Sequence, residues 1–274
     1  MNTVLQVSDP HFGTERPPVV EALLRLVQAQ TPALVLLSGD ITQRATAGEF
    51  ALAQRFVARL GPTPVLAIPG NHDLPLFNLA MRAFAPYARY RRVFGPALER
   101  VHETPEWLVL GVDTTRRWRH EDGQVSAGQI ERVARRLAQA LPDQLRIVAL
   151  HHPVAVSRPV DTKNLLHGRA AAIREWARAG ADLILGGHIH LPFVVPLHAS
   201  NPGLPRRLWV VQAGTAVSSR VRHDSPNSVN LIRRTGAASS CEVERWDYNA
   251  TADAFQPVLT HQLQCGPLSH VDRD

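Results

Sequence analysis

Five short stretches carry side chains able to ligate a metal or move a proton, and each follows an apolar run. Val4-Leu5-Gln6-Val7 leads into Ser8-Asp9-Pro10-His11, and Leu34-Val35-Leu36-Leu37 into Ser38-Gly39-Asp40. Pro64-Val65-Leu66-Ala67 leads into Ile68-Pro69-Gly70-Asn71-His72-Asp73. Ile147-Val148-Ala149-Leu150 leads into His151-His152-Pro153, and Leu183-Ile184-Leu185 into Gly186-Gly187-His188-Ile189-His190. Short apolar runs bounded by turn residues read as buried strands. Open α/β sheets bind ligands beyond the carboxyl ends of their strands, so these five tips are expected to converge. One Asn-His-Asp tip alone is ordinary turn and cap chemistry. Caps, however, do not require these residue types at five strand ends of one chain.

Asp9 and His11 are two apart around Pro10, which biases the segment towards extended backbone. Extended residues at i and i+2 point the same way, so both are expected to reach one ion. His188 and His190 repeat the spacing. The glycines before Asp40, Asn71 and His188 let the chain turn and keep bulk away. Carboxylate, imidazole and amide donors without cysteine suit divalent Mn, Fe, Zn, Ni or Co rather than a structural zinc site. Asp9, His11, Asp40, Asn71, His151, His188 and His190 are too many ligands for one ion. They suit two ions that share a bridging carboxylate.

In their order, Asp9-x-His11, Gly39-Asp40, Gly70-Asn71-His72-Asp73, His151 and Gly187-His188-x-His190 resemble the calcineurin-like metallophosphoesterase superfamily over residues 9 to 190. The short N-terminal lead, the compact length and the Gly-Asn-His-Asp block are most similar to bacterial class III cyclic-nucleotide phosphodiesterase-type members. The resemblance implies a four-layer α/β/β/α sandwich with mixed sheets and a dinuclear metal centre between them. It implies that Asp9, His11, Asp40 and His190 hold the first metal, and that Asp40 bridges to a second held with Asn71, His151 and His188. His151 rather than His152 takes that role, because the family's ligand directly follows the strand. The implied reaction is in-line attack by a metal-bridging hydroxide on a phosphoester. His72 would stabilise the transition state or protonate the leaving oxygen, with Asp73 as its orienting partner.

The expected substrate is a small phosphodiester, with a 3′,5′-cyclic nucleotide as the lead. A phosphomonoesterase or a nucleotide pyrophosphatase would use the same metals with a different pocket. A non-catalytic interaction scaffold would have lost ligands, and here the set is complete. Nucleic acid is not the expected partner: the arginine clusters at 89–92, 116–119, 132–136 and 220–222 form no long basic tract, although the net charge is +6. Arg220 and Arg222 follow a strand in Gly214–Arg222, which can be a structural loop or can bring an arginine to the substrate phosphate. A homodimer remains open.

The elements that must position these residues alternate as β-α-β-α-β up to Asp73. Helices are expected over Pro18–Ala29 and from about Ala47 to Leu60, with parallel strands around them. Leu76–Phe84 reads as a short helix, Pro86–Pro96 as an aromatic- and arginine-rich connection, and Trp107–Val112 as a strand. Thr114–Gly123 and Pro153–Gly168 lack periodicity and read as loops. Helices follow from Ser126 to Leu141 and over Ala170–Ala179. From about residue 205 the pattern changes to strands without long helices, as in an antiparallel second sheet. One domain over 1–274 is expected, since the 274 residues are 45% hydrophobic and 20% charged. No run reaches the roughly 20 apolar residues of a membrane helix. The first strand starts almost at Met1, so no removable signal is expected. Cys241 and Cys265, without CxxC spacing, read as free thiols in a reducing cytoplasm.

Overall fold

The computed structural model describes residues 3–222, 225–235 and 240–268. Its N-terminal part runs β1 (Thr3–Val7), α1 (Pro17–Gln30), β2 (Leu34–Ser38), α2 (Ala47–Arg59) and β3 (Val65–Ile68). After a 3-10 turn at Asn71–Asp73 come α3 (Leu79–Phe84), α4 (Ala88–Phe94), β4 (Arg100–Glu103), β5 (Trp107–Gly111) and α5 (Ala127–Ala138). Then follow β6 (Leu145–Ala149), α6 (Arg169–Ala179), β7 (Leu183–Gly186), β8 (Phe193–Pro196), α7 (Leu197–Ser200) and β9 (Arg206–Arg207). The tail carries β10 (Trp209–Gln212), β11 (Ser228–Arg234), β12 (Ser240–Asn249), β13 (Ala254–Gln264) and β14 (Gly266–Pro267).

Two mixed six-stranded sheets result, in the orders β13-β12-β11-β1-β2-β3 and β4-β5-β6-β7-β10-β8. Within the first, β1, β2 and β3 run parallel while β11 lies antiparallel on β1. In the second, β5, β6, β7 and β10 run parallel, flanked by antiparallel β4 and β8.

Strand alternation explains the layers. On β2, Val35 and Leu37 join Leu23 of α1 and Phe50 of α2 in one cluster, while Leu34 and Leu36 join Ile147 and Leu185 of the other sheet. Val148 and Ile184 face Ile130 of α5 and Trp176 of α6 in a third cluster. Because each central strand is covered on both faces, its sequence is continuously apolar rather than alternating. The architecture is the expected four-layer α/β/β/α sandwich. Two of the long helices start on capping boxes: Thr46 opens α2 with one to Glu49, and Ser126 opens α5 with one to Gln129.

Three expectations are corrected. Pro86–Pro96 contains the helix α4, because Tyr90 is fully buried and its hydroxyl donates to the Ala67 carbonyl at 2.8 Å, anchoring a helical turn against β3. The loop 153–168 holds a 3-10 segment, Pro159–Asn164. The tail from about residue 205 does not form a second sheet of its own. Its strands β11, β12 and β13 extend the first sheet beyond β1, and β10 inserts into the second between β7 and β8. No helix among the described residues is long and apolar enough to cross a membrane.

Candidate metal centre

The five strand tips do meet. Asp9 and His11 follow β1, Asp40 follows β2, Asn71 follows β3, His151 follows β6, and His188 and His190 follow β7. Asp9, His11, Asp40 and His151 are completely or almost completely buried. On one side, His190 Nε2 lies 3.2 Å from Asp9 Oδ1 and 3.1 Å from His11 Nε2. On the other, Asn71 Oδ1 lies 3.2 Å from His151 Nε2 and 3.0 Å from His188 Nδ1. Asp40 stands between, with Oδ2 3.7 Å from His11 Nε2 and Oδ1 3.2 Å from His151 Nε2. One carboxylate thus offers an oxygen to each half, which is the geometry a bridging ligand needs.

The backbone departs from the sequence reading. Asp9 (φ 51°), His11 (42°), Asp40 (47°), His188 (72°) and His190 (54°) all occupy the left-handed region. Asp9-Pro10-His11 is therefore not extended, and its two side chains converge through a tight left-handed turn. Such residues cost about 1–3 kcal/mol each and persist where the surroundings over-determine them, typically at functional sites. Two glycines allow the crowding. A Cβ on Gly70 would collide with the Asp40 backbone nitrogen, and one on Gly187 would meet Ser8 Oγ and Asp9 Oδ2.

Electrostatics prepares the donors. Burial alone would raise Asp9, but the His190 imidazole and its hydrogen bond hold it at about 2. Asp40 is opposed by burial in the same way, yet His151 and His72 keep it well below the usual carboxylate range. Burial pushes His11 down to about 3 and His188 to about 4, leaving both neutral with a lone pair available. His151 goes the other way, because the Asp40 charge outweighs its burial and lifts it to about 9.

Backbone carbonyls orient the rings. His151 Nδ1 donates to Ser38 O at 3.0 Å and His190 Nδ1 to Arg220 O at 2.6 Å, which turns each Nε2 inward. His11 Nδ1 is buried and has no hydrogen-bond partner among the described residues. Asp9, His11 and His190 have donor atoms within 4.8 Å of one another, as do Asp9, Asp40 and His151. Lone pairs and carboxylate oxygens packed this tightly fit divalent cations and little else.

Three neighbours resolve differently. His152 uses both ring nitrogens elsewhere, with Nδ1 2.8 Å from Thr114 Oγ1 and Nε2 2.9 Å from Glu121 O. These bonds tie the loop 114–123 to the site, and a ring nitrogen of His152 also lies within 4.8 Å of donor atoms of His151 and His188. His72 packs edge-on against His11 with 4.9 Å between ring centres. Its Nδ1 donates to Gln43 O at 2.7 Å, and Nε2 lies 3.4 Å from an Arg220 nitrogen. Asp73 does not touch the His72 ring: its carboxylate accepts from Gly70 N, Ile41 N, Thr42 N and Thr42 Oγ1 at 2.8–3.1 Å. The orienting partner of His72 is a carbonyl, and Asp73 instead locks the β2 and β3 tips together.

A profile of the calcineurin-like phosphoesterase family matches residues 3–192. This chain belongs to that family. Among curated proteins, a probable cyclic nucleotide phosphodiesterase of Synechococcus sp. is 25% identical over 204 residues, covering 70% of this chain and 74% of the relative. A dimetal phosphatase from Danio rerio superposes with a TM-score of 0.65 at 11% identity, covering 97% of this chain and 99% of its own. A purple acid phosphatase from yellow lupin gives 0.67 at 14% identity, with 96% of this chain covered. The chain spans 53% of the lupin protein's length.

As a calcineurin-like phosphoesterase, the chain brings together candidate donors for divalent metal at the strand ends that its sequence marked. Residues that sequence reasoning missed lie beneath and around them. Gln6, a polar residue inside the first strand's apolar run, was the one visible signal of these. Arg222, left open as a substrate contact, is held by Asp161 at 3.0 Å and by Ile189 O at 3.1 Å.

Proposed function

We propose that the chain hydrolyses a small phosphodiester, with a 3′,5′-cyclic nucleotide as lead substrate, at a dinuclear centre. In this reading Asp9, His11, Asp40 and His190 hold one ion, and Asp40, Asn71, His151 and His188 the other. The observation that carries it is Asp40, whose two oxygens face the two halves of the cluster. Two bound divalent ions would supply Lewis acidity to the phosphate and lower the pKa of water.

The chain's own side chains supply the rest. His72 Nδ1 is tied to Gln43 O, so Nε2 is fixed at the edge of the cluster. When protonated, that nitrogen can give its proton to the leaving oxygen; when neutral, its lone pair can hold the attacking water. Arg220 stands beside it, reaching Gln43 Oε1 at 3.0 Å, and can make a bidentate contact to a phosphate. Asp73 fixes the turn that presents both Asp40 and His72, acting as a positioning residue.

The Synechococcus relative supports the diester over the monoester. The test loads the protein with manganese and compares bis-p-nitrophenyl phosphate, p-nitrophenyl phosphate and 3′,5′-cyclic AMP. Diester turnover that includes the cyclic nucleotide, and is abolished in Asp40→Ala, is the expected result. Monoester preference would move the assignment to a phosphomonoesterase on the same site.

A further inference from the structure

Beside the cluster lies a cavity of about 190 Å³ whose wall includes Asn71 and His72. That is below the roughly 300–1,000 Å³ of a site that encloses a whole drug-sized ligand, so it accommodates one part of a substrate whose phosphate rests on the cluster. Its lining also includes Phe77, Arg44 and His120. Phe77 is 75% exposed, and α3, which follows it, buries none of its residues. An aromatic ring this bare beside a catalytic edge is not there for the core.

The wall is nonetheless firmly built. Arg82 on α3 donates to Pro75 O at 3.2 Å, to Arg117 O at 2.8 Å and to Arg119 O at 2.6 Å. Arg117 returns a bond to Ala83 O at 2.8 Å. One guanidinium thereby joins the segment that carries Phe77 to the loop that carries His120. The Arg44 guanidinium lies 5.8 Å from the Phe77 ring centre, so two planar groups share this wall. Among the described residues no acidic side chain lines the cavity, so an alcohol bearing an ammonium group finds no carboxylate counter-charge from them. A flat heteroaromatic ring can stack on such a wall, whereas an aliphatic alcohol gains little from it.

We propose that the cavity walled by Phe77, Arg44 and His120 is a subsite for the planar heteroaromatic base of a nucleotide substrate. Through it the chain selects nucleotide diesters over aliphatic ones. The proposal rests on the phosphodiesterase reading above and names the part of the substrate that reading leaves open.

The manganese-loaded protein and its Phe77→Ala and Phe77→Tyr variants are compared on 3′,5′-cyclic AMP and on glycerophosphoethanolamine. Calorimetric titration with adenosine 5′-monophosphate reads the subsite without turnover. The native protein should prefer the cyclic nucleotide. Phe77→Ala should raise its KM by about 5–100-fold with little change in kcat, weaken adenosine 5′-monophosphate binding to a similar degree, and narrow the preference over the aliphatic diester. Phe77→Tyr should restore all three. Because Phe77 is exposed, the variants are expected to fold. A native preference for the aliphatic diester, or equal effects of Phe77→Ala on both diesters, would overturn the subsite. So would an unchanged KM accompanied by loss of a dimer in sedimentation, which would assign the ring to a contact between copies. A native protein that turns over neither diester would sink the phosphodiesterase reading, while calorimetry would still decide the base subsite.

Discussion

At the scale of single residues, His72 and Asp40 are separable although they are adjacent in space. Asp40 has oxygens towards both halves of the cluster, and its Oδ1 also accepts the His72 backbone N–H at 2.8 Å. Replacing it with alanine should empty the site, which metal analysis by mass spectrometry would show as loss of at least one ion per chain. A fully metallated and active Asp40→Ala protein would remove the bridge from the mechanism. The His72 ring, by contrast, is held by Gln43 O, and the proposed reading counts it outside both ligand sets although its donor atom lies within 4.8 Å of those of His11 and Asp40. His72→Ala should therefore keep its metal while kcat falls by about 10²–10⁴. Normal turnover would exclude proton transfer or phosphate contact by this ring. Both residues could be picked out as candidates because chemistry restricts which side chains can serve. Their directions were not. Asp73 beside His72 invited an Asp–His pair, but the 3-10 turn points its carboxylate back to Gly70, Ile41 and Thr42. Likewise Pro10 suggested extended backbone, and the convergence of donors imposed a left-handed Asp9 instead.

At the scale of elements, what is encoded locally was visible and what depends on distant packing was not. Thr46 with Glu49 and Ser126 preceding a periodic helix announce their starts within a few residues. The helix α4 depends on Tyr90 reaching Ala67, which no local pattern reveals. The β5 tip gives a case where burial sets pH dependence. Asp113 is 7% exposed, and burial pushes its carboxyl up to about 6 despite bonds from Thr115 N at 2.8 Å and Thr115 Oγ1 at 2.6 Å. An unfolded carboxyl titrates near about 3.9. Between about 4 and 6 the native state therefore binds more protons than the unfolded one. The stability this contributes is fully present below about 4 and is lost as pH rises through 6, amounting to roughly 1–3 kcal/mol. Asp113→Asn stays neutral and keeps its acceptor oxygen. Its stability relative to the native protein should thus improve by about that amount between pH 4 and pH 7. Urea unfolding of the metal-free proteins at both pH values would measure it. Parallel pH curves would show that Asp113 is not strained by its burial.

At the scale of the molecule, the site exists only because two sheets are held in one relation. Along most of their length they meet through apolar residues such as Leu36, Ile68, Ile147 and Leu185. Directly beneath the cluster of candidate metal donors the contact becomes polar. Gln6 of β1 donates to Gly186 O of β7 at 3.0 Å and to Ser38 Oγ of β2 at 3.2 Å, and accepts from Asn230 of β11 at 3.0 Å. Asn230 continues to Gln212 O of β10 at 3.4 Å, and the Gln212 side chain donates to Gly187 O. This seam links the strands that end in Asp9, Asp40 and His188. It also shows why the tail was misassigned from sequence: β11 pairs with β1 from more than 200 residues away, and only this long-range register brings Asn230 opposite Gln6. A non-directional apolar contact would allow the sheets to slide, whereas hydrogen bonds fix their offset and hence the distance between the two halves of the cluster. Gln6→Leu keeps the volume but leaves Gly186 O and Asn230 Nδ2 short of partners in a dry interior. Stability should fall by about 1–3 kcal/mol for each group left unpaired. If the seam sets the site's geometry, metal affinity should also fall by about 10–100-fold, as for other supports of metal ligands. Denaturant unfolding of the metal-free protein and metal titration of the folded protein separate the two effects. A loss of stability with unchanged metal affinity would reduce the seam to ordinary buried hydrogen bonding. A loss of both would make Gln6, which lies outside the donor set, part of what spaces the two halves of the cluster.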